Sequence, residues 1–174
     1  GFSWQNNYWC ELMDSYAQNG EPNTARPVAI LAMIVLAISL IIFWNNIAEL
    51  FVYRKSSSRI TRYCGTGSML VLPFLFTGLH DSVINIAGLL GGIAIIALLI
   101  NLYKHKMYFL LLIGVFCLLL CGINNYVYYS KDLLHHLPVI QKNSFLIFLL
   151  WFILLSVKLY RKKLSPHVNT NTKN

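Results

Sequence analysis

Apolar residues in this chain gather into five blocks instead of recurring at the spacing of a half-buried helix or strand. The blocks run from Pro27 to Ala48, Cys64 to Leu79, Ser82 to Tyr103, Met107 to Ile123 and Phe145 to Val157. A helix needs roughly 20 apolar residues to cross about 30 Å of hydrocarbon. The blocks therefore predict spans over 27–52, 64–79, 82–103, 107–124 and 144–160. Pro73 removes a backbone donor inside the second block and predicts a kink there. Blocks two and three are together too long for one span, and His80-Asp81 interrupts them, so a tight turn is expected from Gly78 to Asp81. The expected fold class is all-α, a polytopic transmembrane helical bundle.

Polar positions divide the chain into an outer segment (1–26), the bundle (27–163) and a tail (164–174) expected to be disordered. Within the first, Trp9, Leu12, Met13 and Tyr16 fall at i, i+3, i+4 and i+7, which predicts a short interfacial helix over Trp9–Asn19, stopped at Asn19-Gly20. Thr24 is placed to cap the first span, with Pro27 in its opening turn. The sequence opens at Gly1 without a methionine, so an upstream helix is expected, giving six spans in the intact protein.

Composition agrees with a membrane setting. The chain is 57% hydrophobic and 11% charged, whereas soluble domains carry about 25% charged residues. The charges also sort by side. Arg54, Lys55, Arg59, Arg62, Lys104, Lys106, Lys158, Arg161, Lys162, Lys163 and Lys173 fall at one face, and only Arg26, Lys131 and Lys142 at the other. Basic loops stay cytoplasmic, so the N-terminal segment is expected outside and the tail inside, in a bacterial cytoplasmic membrane. The net charge of +8 then calls for membrane lipid as partner and for no nucleic acid.

This topology gathers Cys10, Glu11, Asp14, Arg26, His80, Asp81, His135 and His136 near the outer ends of spans. Histidine, cysteine and carboxylates are the ligands of zinc and the groups of general acid-base hydrolysis. His80, Asp81 and Glu11 are accordingly the catalytic candidates, and His80, His135, His136 and Cys10 the candidate zinc ligands. Arg26 is the candidate anion-binding residue. Each also has a plainer role. His135-His136 are adjacent, without the separation of three or four that lets two helix residues share a ligand, and read equally as wetted loop residues. Asp81 or Ser82 can cap the third span, a task that does not require His80. Arg26 can pair with Glu21, Asp14 or Asp81, or snorkel to the interface.

Small residues suggest packing. Gly88 and Gly92 form a GxxxG, repeated by Ala87 and Gly91, which offers a smooth face for close approach inside the chain or in a homo-oligomer. Gly114, Cys117 and Cys121 read the same way. Asn45, Asn46 and Asn85 are expected to bond to neighbouring helices. Cys10 with Cys121 is the one disulfide the topology permits.

The motifs Asn7-Tyr8-Trp9-Cys10-Glu11-Leu12, Asn19-Gly20, Asn23-Thr24-Ala25-Arg26-Pro27 and His80-Asp81 resemble those of uncharacterised bacterial multi-pass membrane proteins, the domain-of-unknown-function family 998. The resemblance spans nearly the whole chain. It implies about six helices with a polar outer segment after the first, and brings no activity or site residues. Trp9-Cys10-Glu11 also resembles the alkaline ceramidase group of membrane metal-dependent hydrolases. The chain departs from that group in its adjacent, loop-borne histidines and its fewer spans. The functional expectation is a non-enzymatic lipid-interacting or accessory membrane protein, since no catalytic spacing is present. The alternatives are an outward-facing metal-dependent hydrolase acting on a lipid, and a small transporter.

Overall fold

The computed structural model describes residues 3–17, 19–51, 55–76 and 80–170, with side chains described in these ranges except at 55, 75, 76, 80, 81, 131, 132 and 165–170. Five long helices dominate it: α1 (Arg26–Ile47), α2 (Lys55–Val71), α3 (His80–Lys104), α4 (Tyr108–Tyr129) and α5 (Leu137–Thr170). Short 3-10 helices occupy Cys10–Met13, Ala48–Leu50, Leu72–Phe76 and Lys131–His136. The chain is all-α, as expected. Four segments, Arg26–Leu50, Ser82–Lys104, Tyr108–Tyr129 and Leu133–Leu164, are long and apolar enough to cross a membrane.

The second predicted span is where sequence and structure differ most. A basic loop was expected over 54–59, but the helix begins at Lys55, with Arg54 outside the described residues. The polar residues in its first half are a packing face. Ser57, Thr61, Gly65 and Ser68 recur every three or four positions, a spacing that lets two backbones approach closely. Ser57 Oγ donates to the Ala97 carbonyl at 3.2 Å and Ser68 Oγ to the Ala87 carbonyl at 2.8 Å, so α2 and α3 run antiparallel. Of the two interleaved small-residue pairs on α3, Ala87 and Gly91 line this seam; a Cβ on Gly91 would stand 3.1 Å from Ser68 Oγ. Gly88 and Gly92 face away, and nothing lies within 4 Å of a Cβ at either. Pro73, where a kink was expected, lies in the 3-10 helix Leu72–Phe76 to which the α-helix yields as the ring removes a donor. Of the predicted turn, Gly78 to Asp81, residues 78 and 79 lie outside the described residues, and His80 and Asp81 are already the first residues of α3.

Tryptophan over glycine ties the remaining helices together. A Cβ on Gly65 would stand 2.2 Å from the Trp44 ring, and one on Gly114 2.5 Å from Trp151, so each glycine is the hollow that an indole fills. Trp151 Nε1 donates to the Leu110 carbonyl at 2.8 Å, joining α5 to α4. Phe43 and Phe152 meet edge to face at 4.9 Å, joining α1 to α5. Gly114 and Cys117 are buried as expected, whereas Cys121 is exposed, and all four cysteines are free, so Cys10 and Cys121 are not paired. Large apolar side chains such as Leu89, 68% exposed, and Phe109, 70% exposed, point away from the bundle, which suits a hydrocarbon surround.

The end of the bundle where α5 finishes is held by charge on backbone. Lys162 Nζ donates to the carbonyls of Glu49 (3.2 Å) and Leu50 (2.7 Å) in the 3-10 helix that follows α1, and Lys163 pairs with Glu49 at 2.8 Å. The α3–α4 turn is a Schellman motif: Met107 N–H reaches the Leu102 carbonyl and Lys106 N–H the Tyr103 carbonyl, both at 3.0 Å, with Lys106 at φ 55°. Asn45 meets the expectation of an interhelical bond, donating to Thr66 Oγ1 at 3.2 Å and accepting from Arg62 Nε at 2.8 Å. Asn46 meets it too, accepting from Lys163 Nζ of α5 at 3.1 Å while donating to its own helix at Ile42, whereas Asn85 is exposed. α5 begins seven residues before the predicted 144 and runs on through 164–170, where a disordered tail was expected; 171–174 lie outside the described residues.

Candidate functional site

The N-terminal segment is the least helical part of the molecule, and hydrogen bonds to its carbonyls explain its shape. The expected helix Trp9–Asn19 is reduced to Cys10–Met13, because Asp14 turns extended (φ −68°, ψ 154°). The chain then forms a small hairpin, bridged at Tyr16 and Pro22, with Ala17 N–H on the Glu21 carbonyl at 2.8 Å. Gly20 at φ 81° makes the bend, so Asn19-Gly20 is a hairpin turn instead of a helix stop. Asn23 Nδ2 collects the carbonyls of Leu12 (3.0 Å) and Asp14 (3.2 Å), and Arg26 Nε takes that of Met13 (3.0 Å). Asn23 also replaces Thr24 as the device at the start of α1, accepting from Ala25 N–H at 3.1 Å.

Lys142 fixes this segment to the bundle. It stands on α5, within a segment apolar enough to cross a membrane, and is 1% exposed. Its ammonium donates to the Asn7 carbonyl and lies 5.1 Å from the centre of the Trp4 ring. Asn7, 6% exposed, is the hub of the cluster. Its Oδ1 accepts from Ser3 N–H at 2.6 Å and its Nδ2 donates to Glu11 Oε2 at 2.7 Å. The Glu11 carboxylate acts favourably on the Lys142 ammonium. Trp9 closes the side, edge to face with Trp4 at 6.0 Å and with Phe145 at 5.2 Å. A cation thus sits under an aromatic roof, answered by a carbonyl and a carboxylate field.

The residues singled out from sequence fall at different places. Glu11 belongs to the cluster. Cys10 is half-buried beside it; burial, reinforced by Glu11 and Asp14, pushes its thiol above the ordinary value, and burial with Glu11 does the same to the Tyr8 phenol. Such a thiol is a poor thiolate donor at neutral pH. Arg26 serves the Met13 carbonyl instead of Glu21 or Asp14, and the Asp81 side chain lies outside the described residues. His135 and His136 are exposed in the 3-10 helix before α5, their rings 3.6 Å apart. His80 and Asp81 open α3, so Asp81 lies inside its first turn; their side chains lie outside the described residues. Among the described residues, no group of three or more His, Cys, Asp or Glu is arranged to hold a metal ion. The two residues missed are Asn7 and Lys142. Gln141-Lys142-Asn143 reads as a wet approach to a span, and the lysine is covered by a segment far away in sequence that brings Asn7, 135 residues off, and Trp4 onto it.

No protein-family model matches the chain, and no curated protein or solved structure matches it either. The resemblance to family 998 stands on its sequence motifs alone.

Proposed function

We propose that this chain is a multi-pass integral membrane protein without enzymatic activity, a lipid-interacting or accessory component whose polar outer segment is latched onto the bundle. The buried Lys142, bonded to Asn7 and facing Glu11, carries the reading. It accounts for the one acid of the candidate catalytic set that the structure describes: Glu11 is engaged in holding a segment in place, as Arg26 is at Met13. An ionisable group at such depth is retained where it has a defined partner, and here the partner is the chain's own N-terminal segment.

Helix direction supports a fifth crossing beside the four apolar spans. α1 and α3 are each apolar enough to cross, and α2 runs antiparallel to α3. Asn45 near the end of α1 meets Arg62 and Thr66 of α2. α2 with its 3-10 extension, reversed against α3, is read as the return between α1 and α3. The excess of basic residues at the end holding Lys162 and Lys163 supports placing it in the cytoplasm, in the manner of a bacterial inner membrane. The open face at Gly88 and Gly92 supports contact with a second copy.

Two measurements test this. Single cysteines at Ser56→Cys and Ser82→Cys, in a background without the native four, should label from opposite sides of sealed vesicles; labelling from the same side removes the α2 crossing. Metal analysis of purified chain should give a zinc stoichiometry near zero. Stoichiometric zinc that is lost on His136→Gln or His80→Gln would replace this reading with the outward-facing lipid hydrolase.

A further inference from the structure

We propose that the cleft between α1 and α2, at the end opposite the latch, holds the phosphate of an anionic phospholipid of the cytoplasmic leaflet. This rests on the reading of the chain as a bilayer-spanning bundle with that end inward. The cleft is open to the surface, has a volume of about 380 Å³ and is lined by Ala48, which opens the 3-10 helix after α1, and by Ser58, Arg59 and Arg62 of α2. Arg59 and Arg62 are three residues apart, which puts both guanidinium groups on one helix face, and both are exposed.

The site is built on one side by a chain of bonds. Arg62 Nε donates to Asn45 Oδ1 at 2.8 Å, and Asn45 Nδ2 in turn reaches Thr66 Oγ1 at 3.2 Å and the Ile41 carbonyl at 2.8 Å. The guanidinium is thereby held against α1 through a single nitrogen, and its terminal amino groups suit an oxyanion, which arginine binds by paired, charge-assisted bonds. Ser58, which lines the same cleft, has a buried hydroxyl with no hydrogen-bond partner among the described residues. A phosphate oxygen is an acceptor of the kind it lacks. Glu49, the acid that follows Ala48, is engaged by Lys163 at 2.8 Å.

A lipid phosphate suits the place better than a free one. Tyr63 and Leu70 lie four and eleven residues beyond Arg59, on the same face of α2, and are 68% and 58% exposed. An acyl chain hanging from a phosphate at Arg59 and Arg62 would run over them toward the membrane centre. Basic pockets between helices at the cytoplasmic surface have this character. Free phosphate has no use for the apolar stripe.

The test is native mass spectrometry of the full chain in neutral detergent, titrated with phosphatidylglycerol or with phosphatidylcholine. The expected result is one phosphatidylglycerol retained over phosphatidylcholine by about tenfold, a preference abolished by Arg59→Gln with Arg62→Gln, as loss of a charge-assisted pair predicts. Arg59→Gln alone keeps the Arg62 bond to Asn45 and should weaken retention about threefold while the protein keeps its helical content and monodispersity, which separates a binding defect from misfolding. Lys104→Gln with Lys106→Gln removes two charges from the same end and should leave the preference intact. Equal loss in that pair would overturn the site in favour of diffuse attraction. Displacement of the lipid by millimolar inorganic phosphate would overturn the lipid assignment. A failure of the membrane reading itself would show separately, as same-side labelling of Ser56→Cys and Ser82→Cys.

Discussion

The two ends of the bundle use lysine in opposite ways. At the N-terminal end, Lys142 is 1% exposed and meets one carbonyl, one indole face and the field of one carboxylate, all from a segment more than a hundred residues away in sequence. At the other, Lys162 and Lys163 reach the end of α1 from the water-exposed last turns of α5, and the Lys163–Glu49 pair is about half exposed on both sides. Burial decides the difference. A charge with no water left depends on its partners for its solvation, whereas a charge in water has an alternative for each bond it makes. The C-terminal end can therefore rely on apolar packing for its strength, and its core of Trp44, Leu98, Leu102 and Leu155 is almost closed to solvent.

The largest effect should come from removing the carboxylate that offsets the burial of Lys142. Glu11→Gln keeps an acceptor for Asn7 Nδ2 while removing the carboxylate that favours Lys142. Breaking a buried pair from one side costs roughly 3–5 kcal/mol; with Glu11 only half-buried, about 3 kcal/mol is expected. Thermal unfolding in detergent would report the loss, and limited proteolysis should cut within residues 3–25 first. Adding Lys142→Met should restore part of the stability, because a neutral pair leaves no stranded charge. Additive losses in the double variant would mean that the two groups act independently and the latch is not a pair.

At the C-terminal end, the comparable break is steric. Gly65→Ala places a methyl group 2.2 Å from the Trp44 ring, in a contact that cannot be widened without moving α1 from α2. Overpacking of this kind costs about 2 kcal/mol. Gly92→Ala on α3 meets nothing within 4 Å and should be neutral in the monomer. If the two variants unfold alike, the core is less closely packed there than the indole-on-glycine contact implies.

These contrasts show what the sequence could reveal. Apolar runs near the length of a span are a local signal, and so is a proline inside one; the helices and the break at Leu72–Phe76 were legible for that reason. The start of α2 was not, because its helix face is written in Ser57, Thr61, Gly65 and Ser68, and a search for apolar runs passes over a seam of small polar residues. The N-terminal helix was overextended because Trp9, Leu12, Met13 and Tyr16 keep helical spacing, while the bonds from Asn23 and Arg26 that redirect the backbone come from beyond that window. Glu11 was legible as chemistry and Lys142 was not, since a lysine near the end of a predicted span has an exposed role by default until a distant segment covers it.

A gain is expected at the α3–α4 turn. Lys106 occupies the left-handed position of the Schellman motif at φ 55°, where a side chain costs roughly 1 kcal/mol relative to glycine. Lys106→Gly should raise the unfolding temperature slightly, and it removes a basic residue from the C-terminal end without touching any bond described there. Destabilisation by this change would show that Lys106 has a stabilising role of its own at this end, comparable to Lys162 and Lys163, and would weaken the idea that apolar packing dominates it.

The smallest effect belongs to Lys163→Gln. The ion pair it removes has side chains 47% and 54% exposed, and pairs in that setting contribute about 0.5 kcal/mol or less. Lys162, whose ammonium bonds directly to the Leu50 carbonyl at 2.7 Å, would still cover the end of α1. Salt sharpens the comparison further. Exposed charges are screened within a Debye length of about 3 Å at 1 M salt, so the difference between Lys163→Gln and the parent should vanish there. The Glu11→Gln defect should persist, because ions do not enter the space between Asn7, Trp4 and Lys142. Equal sensitivity of the two variants to salt would place Lys142 in contact with solvent and end the distinction between the two lysine sites.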